Sequence, residues 1–267
     1  MLPEAALPDA LRPDWPAPPG IRALMSTRGG GVSAAPFDSL NLRPPGLRGD
    51  ALDEPAAVWE NQRRFAAALG ATPVYLDQVH GADVVTLDRA DLAPGRPFHR
   101  ADASITQTPG IACTVLVADC LPLLFCSRDG RAVGAAHAGW RGLAGGVIER
   151  TVQALCQAAA CAPEDLCVWL GPCIGPRQFE VGADVLVAFG VEPGGPVSAR
   201  FRPRRRPDGQ MRWLADLPAL ARDRLASLGV REISGGQWCT VASPLRFFSF
   251  RRDRITGRMA AAIAIGH

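Results

Sequence analysis

The stretch Ile111–Gly142, IACTVLVADCLPLLFCSRDGRAVGAAHAGWRG, constrains this chain more than any other part of it. Two apolar runs in it each deliver one polar, metal-competent side chain. Cys120 follows the run Ile111–Ala118, and His137 closes the run Arg131–Ala136. Both positions then break into Pro- or Gly-bearing sequence. A buried strand that ends in Cys or His at a turn projects a reactive group into a pocket, so this stretch predicts two or three strands that carry part of a site.

The rest of the chain reads around it as strands and helices without a steady βαβ rhythm. Ile21–Thr27 is a strand followed by a Gly-rich turn. Pro55–Leu69 is a helix with Val58, Phe65 and Leu69 on its inner face, stopped by Gly70. Val74–His80 and Asp83–Asp88 read as strands, Gly142–Ala160 as a helix and Leu166–Leu170 as a short buried strand. Beyond them come a helix at Val181–Phe189, a hairpin at Phe201–Leu217 turning on Asp208-Gly209, and a helix at Leu217–Leu228. Val230–Ile233, Leu245–Phe250 and Arg258–Ile265 complete the strands. No repeat or low-complexity linker interrupts this order. It predicts one domain over residues 21–267 after an irregular, proline-bearing lead-in at 1–20, with mixed sheets in an α+β or layered α/β fold.

Composition narrows the function classes. The 267 residues are 48% hydrophobic, enough for a substantial core, and a net charge of +3 does not by itself call for a polyanionic partner. All 29 basic residues are Arg, which excludes a Schiff-base or P-loop lysine. The first residues lack a secretory pattern, and no run of about 18 apolar residues occurs, so no membrane span is expected. A cytoplasmic, reducing compartment follows, with the cysteines mostly free thiols. No C-x-x-C pair suggests a zinc ribbon.

Of the four histidines, His80 and His137 sit with Cys120 at predicted strand ends beside Gly or Pro; His99 falls in a polar surface loop. Cys and neutral His suit Zn²⁺, and three protein ligands leave a fourth position for water or substrate. The spacing alone also fits a plain account, in which Cys120 is a small buried hydrophobe and both rings bond to backbone groups.

QVHGADV (Gln78–Val84), ADCLPLL (Ala118–Leu124) and HAGWRG (His137–Gly142) resemble the three signature blocks of the laccase-domain, or multicopper polyphenol oxidase, family, also called the peptidoglycan editing factor or purine nucleoside phosphorylase family. TRGGGVS, SLNL, GPCIGP with FEVG, and FFSFRRDRITGRMAA resemble its other blocks in the same order. The resemblance implies zinc at His80, Cys120 and His137, and a mixed α+β sandwich with flanking helices. It also implies phosphorolysis of adenosine, inosine, guanosine and methylthioadenosine, with deamination of adenosine. The chain departs from the family pattern in the RPPGLRGD loop after SLNL and at Phe250, where His or Tyr is common.

Roles follow as expectations. A zinc-bound water has a pKa of about 7 and suits attack on purine C6. Asp119 would orient that water or move a proton, unless it only caps its turn. Arg28 and Arg141, both in Gly-rich turns, would hold phosphate, Arg141 beside a helix N-terminus. Asn41 would bond a base edge or ribose, unless it caps its loop. Cys173 in GPCIGP reads as a structural thiol, and the Arg202–Arg206 run as a solvated hairpin tip, so no nucleic-acid partner is expected. The partners expected are small purine nucleosides and phosphate, and the state a monomer or small homo-oligomer. Three rivals stand beside this reading. A copper-dependent polyphenol oxidase would use the same ligands, although four histidines with no H-x-H pair fit a multicopper enzyme poorly. A cysteine hydrolase would use Cys120 as nucleophile with His80 or His137 as base. A cell-wall editing protein would take a muropeptide precursor.

Overall fold

The computed structural model describes residues 7–47, 52–196 and 198–266. The first six residues of the lead-in, residues 48–50 of the RPPGLRGD loop and His267 lie outside the described residues.

The two apolar runs of Ile111–Gly142 supply strands to two different sheets. One sheet has four strands in the order β1 (Ile21–Met25), β13 (Met259–Ile265), β5 (Ile111–Val117) and β2 (Thr72–Val74), with only β2 joining in parallel. The other has six, in the order β12 (Glu232–Gly235), β8 (Leu166–Leu170), β6 (Leu121–Ser127), β7 (Val133–Ala138), β4 (Ala103–Thr106) and β3 (Val84–Thr86). It is mixed too, antiparallel at its centre and parallel at both edges. A small third sheet joins β10 (Phe201–Arg205), β11 (Met211–Ala215) and β9 (Glu180–Val181).

Period-two side chains explain how these sheets stack. On β13, Met259, Ala261 and Ile263 face the six-stranded sheet, where Leu124, Cys126 and Trp169 meet them. The alternate residues Ala260, Ala262 and Ala264 face Phe65 and Leu69 of helix α1 (Pro55–Leu69). On β6, Leu121, Leu123 and Phe125 point the other way, toward α3 (Val147–Ala159) and α5 (Leu217–Ser227). The result is four layers: α1, the four-stranded sheet, the six-stranded sheet, and α3 with α5. This is a single-domain α+β sandwich with flanking helices. Each large side chain buried in it contributes roughly 1.5–3 kcal/mol. Short helices α2 (Trp140–Ala144), α4 (Ala183–Ala188) and α6 (Phe250–Asp253) sit in the connections.

Several elements match their sequence signals. Helix α1 has Pro55 in its first turn and ends on Gly70 at φ 71°, whose N–H donates to Ala66 O. The β10–β11 hairpin turns at Arg206–Gly209, with Gly209 at φ 83°. Arg204 and Arg206 both pair with Glu180, so half of the run's four arginines are engaged within their own sheet.

Other expectations are corrected. Val74–His80 is not one strand: β2 stops at Val74, and side chains take over the pairing. Both ends of the Gln78 amide bond the Leu116 backbone, and the amides of Val79, His80 and Gly81 all donate to the Asp102 carboxylate. Leu245–Phe250 is not a strand: Arg246 N and Phe247 N both donate to Ser243 O in a turn, and Phe250 already opens α6. Consecutive Phe247 and Phe248 are both buried there, which a half-buried strand cannot do. Val181–Phe189 divides into the end of β9 and the short α4. The lead-in is not a free arm either: Leu11 and Met25 exchange backbone bonds of 2.8 Å, and Leu11 and Trp15 pack against the inter-sheet core.

Candidate metal centre

Cys120 closes the three-residue turn Ala118–Cys120 that carries the chain from β5 in one sheet to β6 in the other. The turn is tight, and Asp119 takes φ 109°, a region that non-glycine residues seldom occupy. Its carboxylate secures the turn: it accepts from Thr240 Oγ1 at 2.5 Å and from Arg251 N at 2.7 Å, while its own carbonyl accepts from Ile174 N. Burial pushes the Asp119 pKa up despite these bonds.

His80 and His137 are placed by one carboxylate that sequence reasoning missed. Asp102 is fully buried just before β4. It accepts from His137 Nδ1 at 2.8 Å and from the three successive amides of residues 79–81 at 2.7–3.1 Å. Those amides form an anion nest with His80 at φ 60°. Burial opposes the charge on Asp102, but the His137 bond and charge and the backbone amides hold its pKa below the usual carboxylate range. One acid thus sets the backbone of one histidine and the ring of the other, leaving His137 Nε2 as the nitrogen available to a ligand. The available sequence signal was an Asp directly before the short strand ASIT.

The ligating atoms of His80, Cys120 and His137 all lie within 4.8 Å of one another. Cys120 Sγ is 3.9 Å from His80 Nε2, and the two imidazoles meet edge to face with centroids 4.9 Å apart. Zinc bonds of about 2.0–2.3 Å in a tetrahedron separate ligand atoms by roughly 3.5 Å, so the cluster needs little closing to hold an ion. Burial would raise the Cys120 thiol. The charge of His137 and hydrogen bonds from both histidines outweigh it and bring the pKa down to about 6, where the ligating thiolate is present at neutral pH. Gly139 keeps the centre open, because a Cβ there would sit 3.0 Å from both Cys120 Sγ and His80 Cδ2. At Gly142 a Cβ would meet Gly81 O at 2.6 Å, which accounts for the second glycine of HAGWRG.

The three residues open into a cavity of about 600 Å³. Its wall includes Arg43, Arg254 and Arg258, with Phe250 and Ile255 at 48% and 57% exposure. Neither Arg28 nor Arg141 lines this cavity. The Arg28 guanidinium is tied to Asp38 and to Pro244 O, and that of Arg141 stacks on its neighbour Trp140 at 4.3 Å. Asn41 is buried away from the cavity with its amide engaged: Oδ1 accepts from Arg43 N and Arg258 N, and Nδ2 donates to Asp53. Asp119 is likewise absent from the lining. Cys173 is a buried free thiol whose backbone pairs with that of Cys239 in an isolated β-bridge, and burial pushes its thiol well up. The cavity arginines Arg43 and Arg258 lie far apart in sequence and their backbones are joined through Asn41, which no local motif announces.

The family model described as multi-copper polyphenol oxidoreductase laccase matches residues 22–266. The chain belongs to this family. Within it, the chain is 50% identical over 253 residues to the Pseudomonas aeruginosa purine nucleoside phosphorylase PA4543, covering 95% of this chain and 97% of that one. It is 49% identical over 255 residues to the Escherichia coli purine nucleoside phosphorylase YfiH, with 94% and 96% covered. The crystal structure of Neisseria meningitidis NMB0706 superposes with a TM-score of 0.84 at 43% identity, covering 97% of this chain and all of that one. Geobacillus stearothermophilus YlmD superposes at 0.81 with 32% identity, over 93% of each chain. Such relatives support an enzyme. No helix among the described residues is long and apolar enough to cross a membrane.

Proposed function

We propose that this protein is a zinc-dependent purine nucleoside phosphorylase, acting on adenosine, inosine, guanosine and methylthioadenosine. The observation that carries the reading is a nitrogen–sulfur–nitrogen ligand cluster in the same 600 Å³ cavity as three arginines. The substrate class comes from the names of the relatives. Zinc suits two imidazoles and a thiolate; copper accepts the same set and is the alternative metal. When bound, zinc supplies a Lewis acid with an open fourth position.

The chain's own residues supply the rest. Asp102 fixes the His137 ring, and the nest it fills fixes His80. Arg43, Arg254 and Arg258 give the wall the charge that phosphate needs, the role expected from the sequence for Arg28 and Arg141. Phe250 and Ile255 offer apolar surface for a planar base. In the reaction an oxygen of hydrogen phosphate bonds to C1′ as the C1′–N9 bond breaks. The electron pair leaves with the base, and the proton of phosphate ends on the base nitrogen, giving ribose 1-phosphate and free purine. Asp119 stabilises the Cys120 turn in this account. Deamination of adenosine, in which water adds at C6 and ammonia leaves, is a second activity proposed for the same cavity because three ligands leave room for water.

The rival with a specific observation behind it is a cysteine hydrolase acting on a cell-wall precursor, since Cys120 is acidic and lies 3.9 Å from His80. Purified protein incubated with inosine, with and without phosphate, separates the two. Phosphate-dependent hypoxanthine release that a chelator stops and zinc restores is the expected result. Turnover that survives chelation but not thiol alkylation would transfer the site to the hydrolase. Stoichiometric metal without nucleoside turnover would remove the proposed function.

A further inference from the structure

A buried hydroxyl with no partner lies in the cavity wall. Thr256 is 4% exposed, yet its Oγ1 makes no hydrogen bond, although a donor left unpaired in a protein interior costs about 1–3 kcal/mol. Two residues on, Arg258 donates from Nη1 to the carbonyls of Thr256 and Gly257, at 3.1 and 3.2 Å. No carboxylate lies in ion-pair range of Arg258 among the described residues; Asp77 lines the same cavity without pairing to it. Arg43 enters the lining from the opposite part of the sequence and donates to Leu47 O. Two guanidiniums share one wall, and burial together with the Arg43 charge makes the cationic form of Arg258 harder to keep.

Their backbones are not left to chance. Asn41 Oδ1 accepts from Arg258 N at 2.9 Å and Arg43 N at 3.2 Å, so one carbonyl oxygen sets the spacing of both arginines. Asp53 accepts from Asn41 Nδ2 and from Ser33 Oγ, and Asn61 donates to Ser33 Oγ and to Asn41 O. Gly257 fits against this support because a Cβ there would meet the Phe248 ring at 2.7 Å and Asn41 Cβ at 3.1 Å. An orphan hydroxyl donor, two cations on one wall and a buried network that fixes their backbones together describe a binding site for a small oxyanion.

We infer that Thr256, Arg258 and Arg43 form the phosphate subsite of this protein, with Asn41 as the residue that positions the two arginines. This rests on the phosphorolysis reading for its ligand, although binding of inorganic phosphate is measurable without any nucleoside. Hydrogen phosphate can accept from the Thr256 hydroxyl and from a guanidinium face together. His80, Cys120 and His137 line the same cavity as Thr256, Arg258 and Arg43, so the subsite adjoins the candidate metal centre.

The test is titration of zinc-loaded full-length protein with inorganic phosphate by calorimetry, beside steady-state kinetics with inosine. Thr256→Val removes the donor and keeps the shape. It should weaken phosphate binding about tenfold while leaving zinc content and Tm unchanged or raising Tm, since the orphan group is gone. Arg258→Met should weaken binding a hundredfold or more. Asn41→Leu, which removes the oxygen that both arginine amides bond, should raise the phosphate KM while zinc content stays at the wild-type level. Phosphate binding that falls in this pattern supports the subsite even if no nucleoside is turned over, in which case the phosphorylase reading alone fails. Phosphorolysis with a wild-type phosphate KM in both Thr256→Val and Arg258→Met would overturn the subsite and leave the phosphorylase reading standing. Wild-type protein that binds no phosphate at millimolar concentration would also overturn it.

Discussion

Asp102 is buried in the protein and surrounded by four donors, and its consequences are local enough to test one atom at a time. In Asp102→Asn an amide group would face those donors, so the His137 ring loses its orientation and the nest loses its charge. Zinc affinity should fall 10–100-fold, the range for losing a partner behind a metal ligand, as measured by competition with a chromophoric chelator. Gly139→Ala acts from the opposite side. Its Cβ would press on Cys120 Sγ and His80 Cδ2, so the purified variant should carry well under one equivalent of zinc while keeping its far-UV spectrum. Cys120 itself gives a pH signature in metal-free protein. Its thiol, brought down to about 6, should alkylate faster as pH rises through 6, while burial holds Cys113 near 12 and Cys156 near 11. Mass mapping after brief iodoacetamide treatment at pH 7 should find Cys120 modified and Cys113 and Cys156 intact, and added zinc should protect Cys120. At this scale the ligands were legible because each stood at the end of an apolar run. Asp102, Thr256 and Arg258 were not, since what marks them is the company of residues 20 to 200 positions away.

Among the elements, those with a strong period were legible and those stitched by side chains were not. The pattern of α1 and its Gly70 stop give the helix its observed bounds, and Phe65 is fully buried against the alanines of β13. Phe65→Ala should therefore cost about 3–5 kcal/mol, read as a lower denaturant midpoint. Val74–His80 looks like a strand in sequence because it opens with Val, Tyr and Leu, but the pairing beyond Val74 passes to the Gln78 amide and to Asp102. Leu245–Phe250 has strand composition, yet Ser243 gathers its amides into a turn and Ser249 caps α6. In both places a polar side chain competes for the backbone, which propensity alone does not register.

Taken whole, the molecule is two mixed sheets face to face, with the candidate metal centre where the chain crosses between them. The β5–β6 turn brings Cys120 from one sheet to the other, β7 brings His137, and the segment after β2 brings His80. An ion held by all three would tie three separate segments together. Zinc at about 100 times its Kd stabilises by about 2.7 kcal/mol, so exhaustive chelation should lower Tm by roughly 5–10 °C, and added zinc should reverse the loss. The sandwich class was legible from irregular alternation of strands and helices and from the resemblance of the blocks; the sheet order was not, because β1 pairs β13 across nearly the whole chain. The most direct test of the central claim is phosphorus NMR of the zinc-loaded protein with inosine and inorganic phosphate. A ribose 1-phosphate resonance should grow as hypoxanthine forms, and should be lost in His80→Ala and on chelation. Hypoxanthine formed without ribose 1-phosphate, or turnover unchanged in His80→Ala, would contradict that claim.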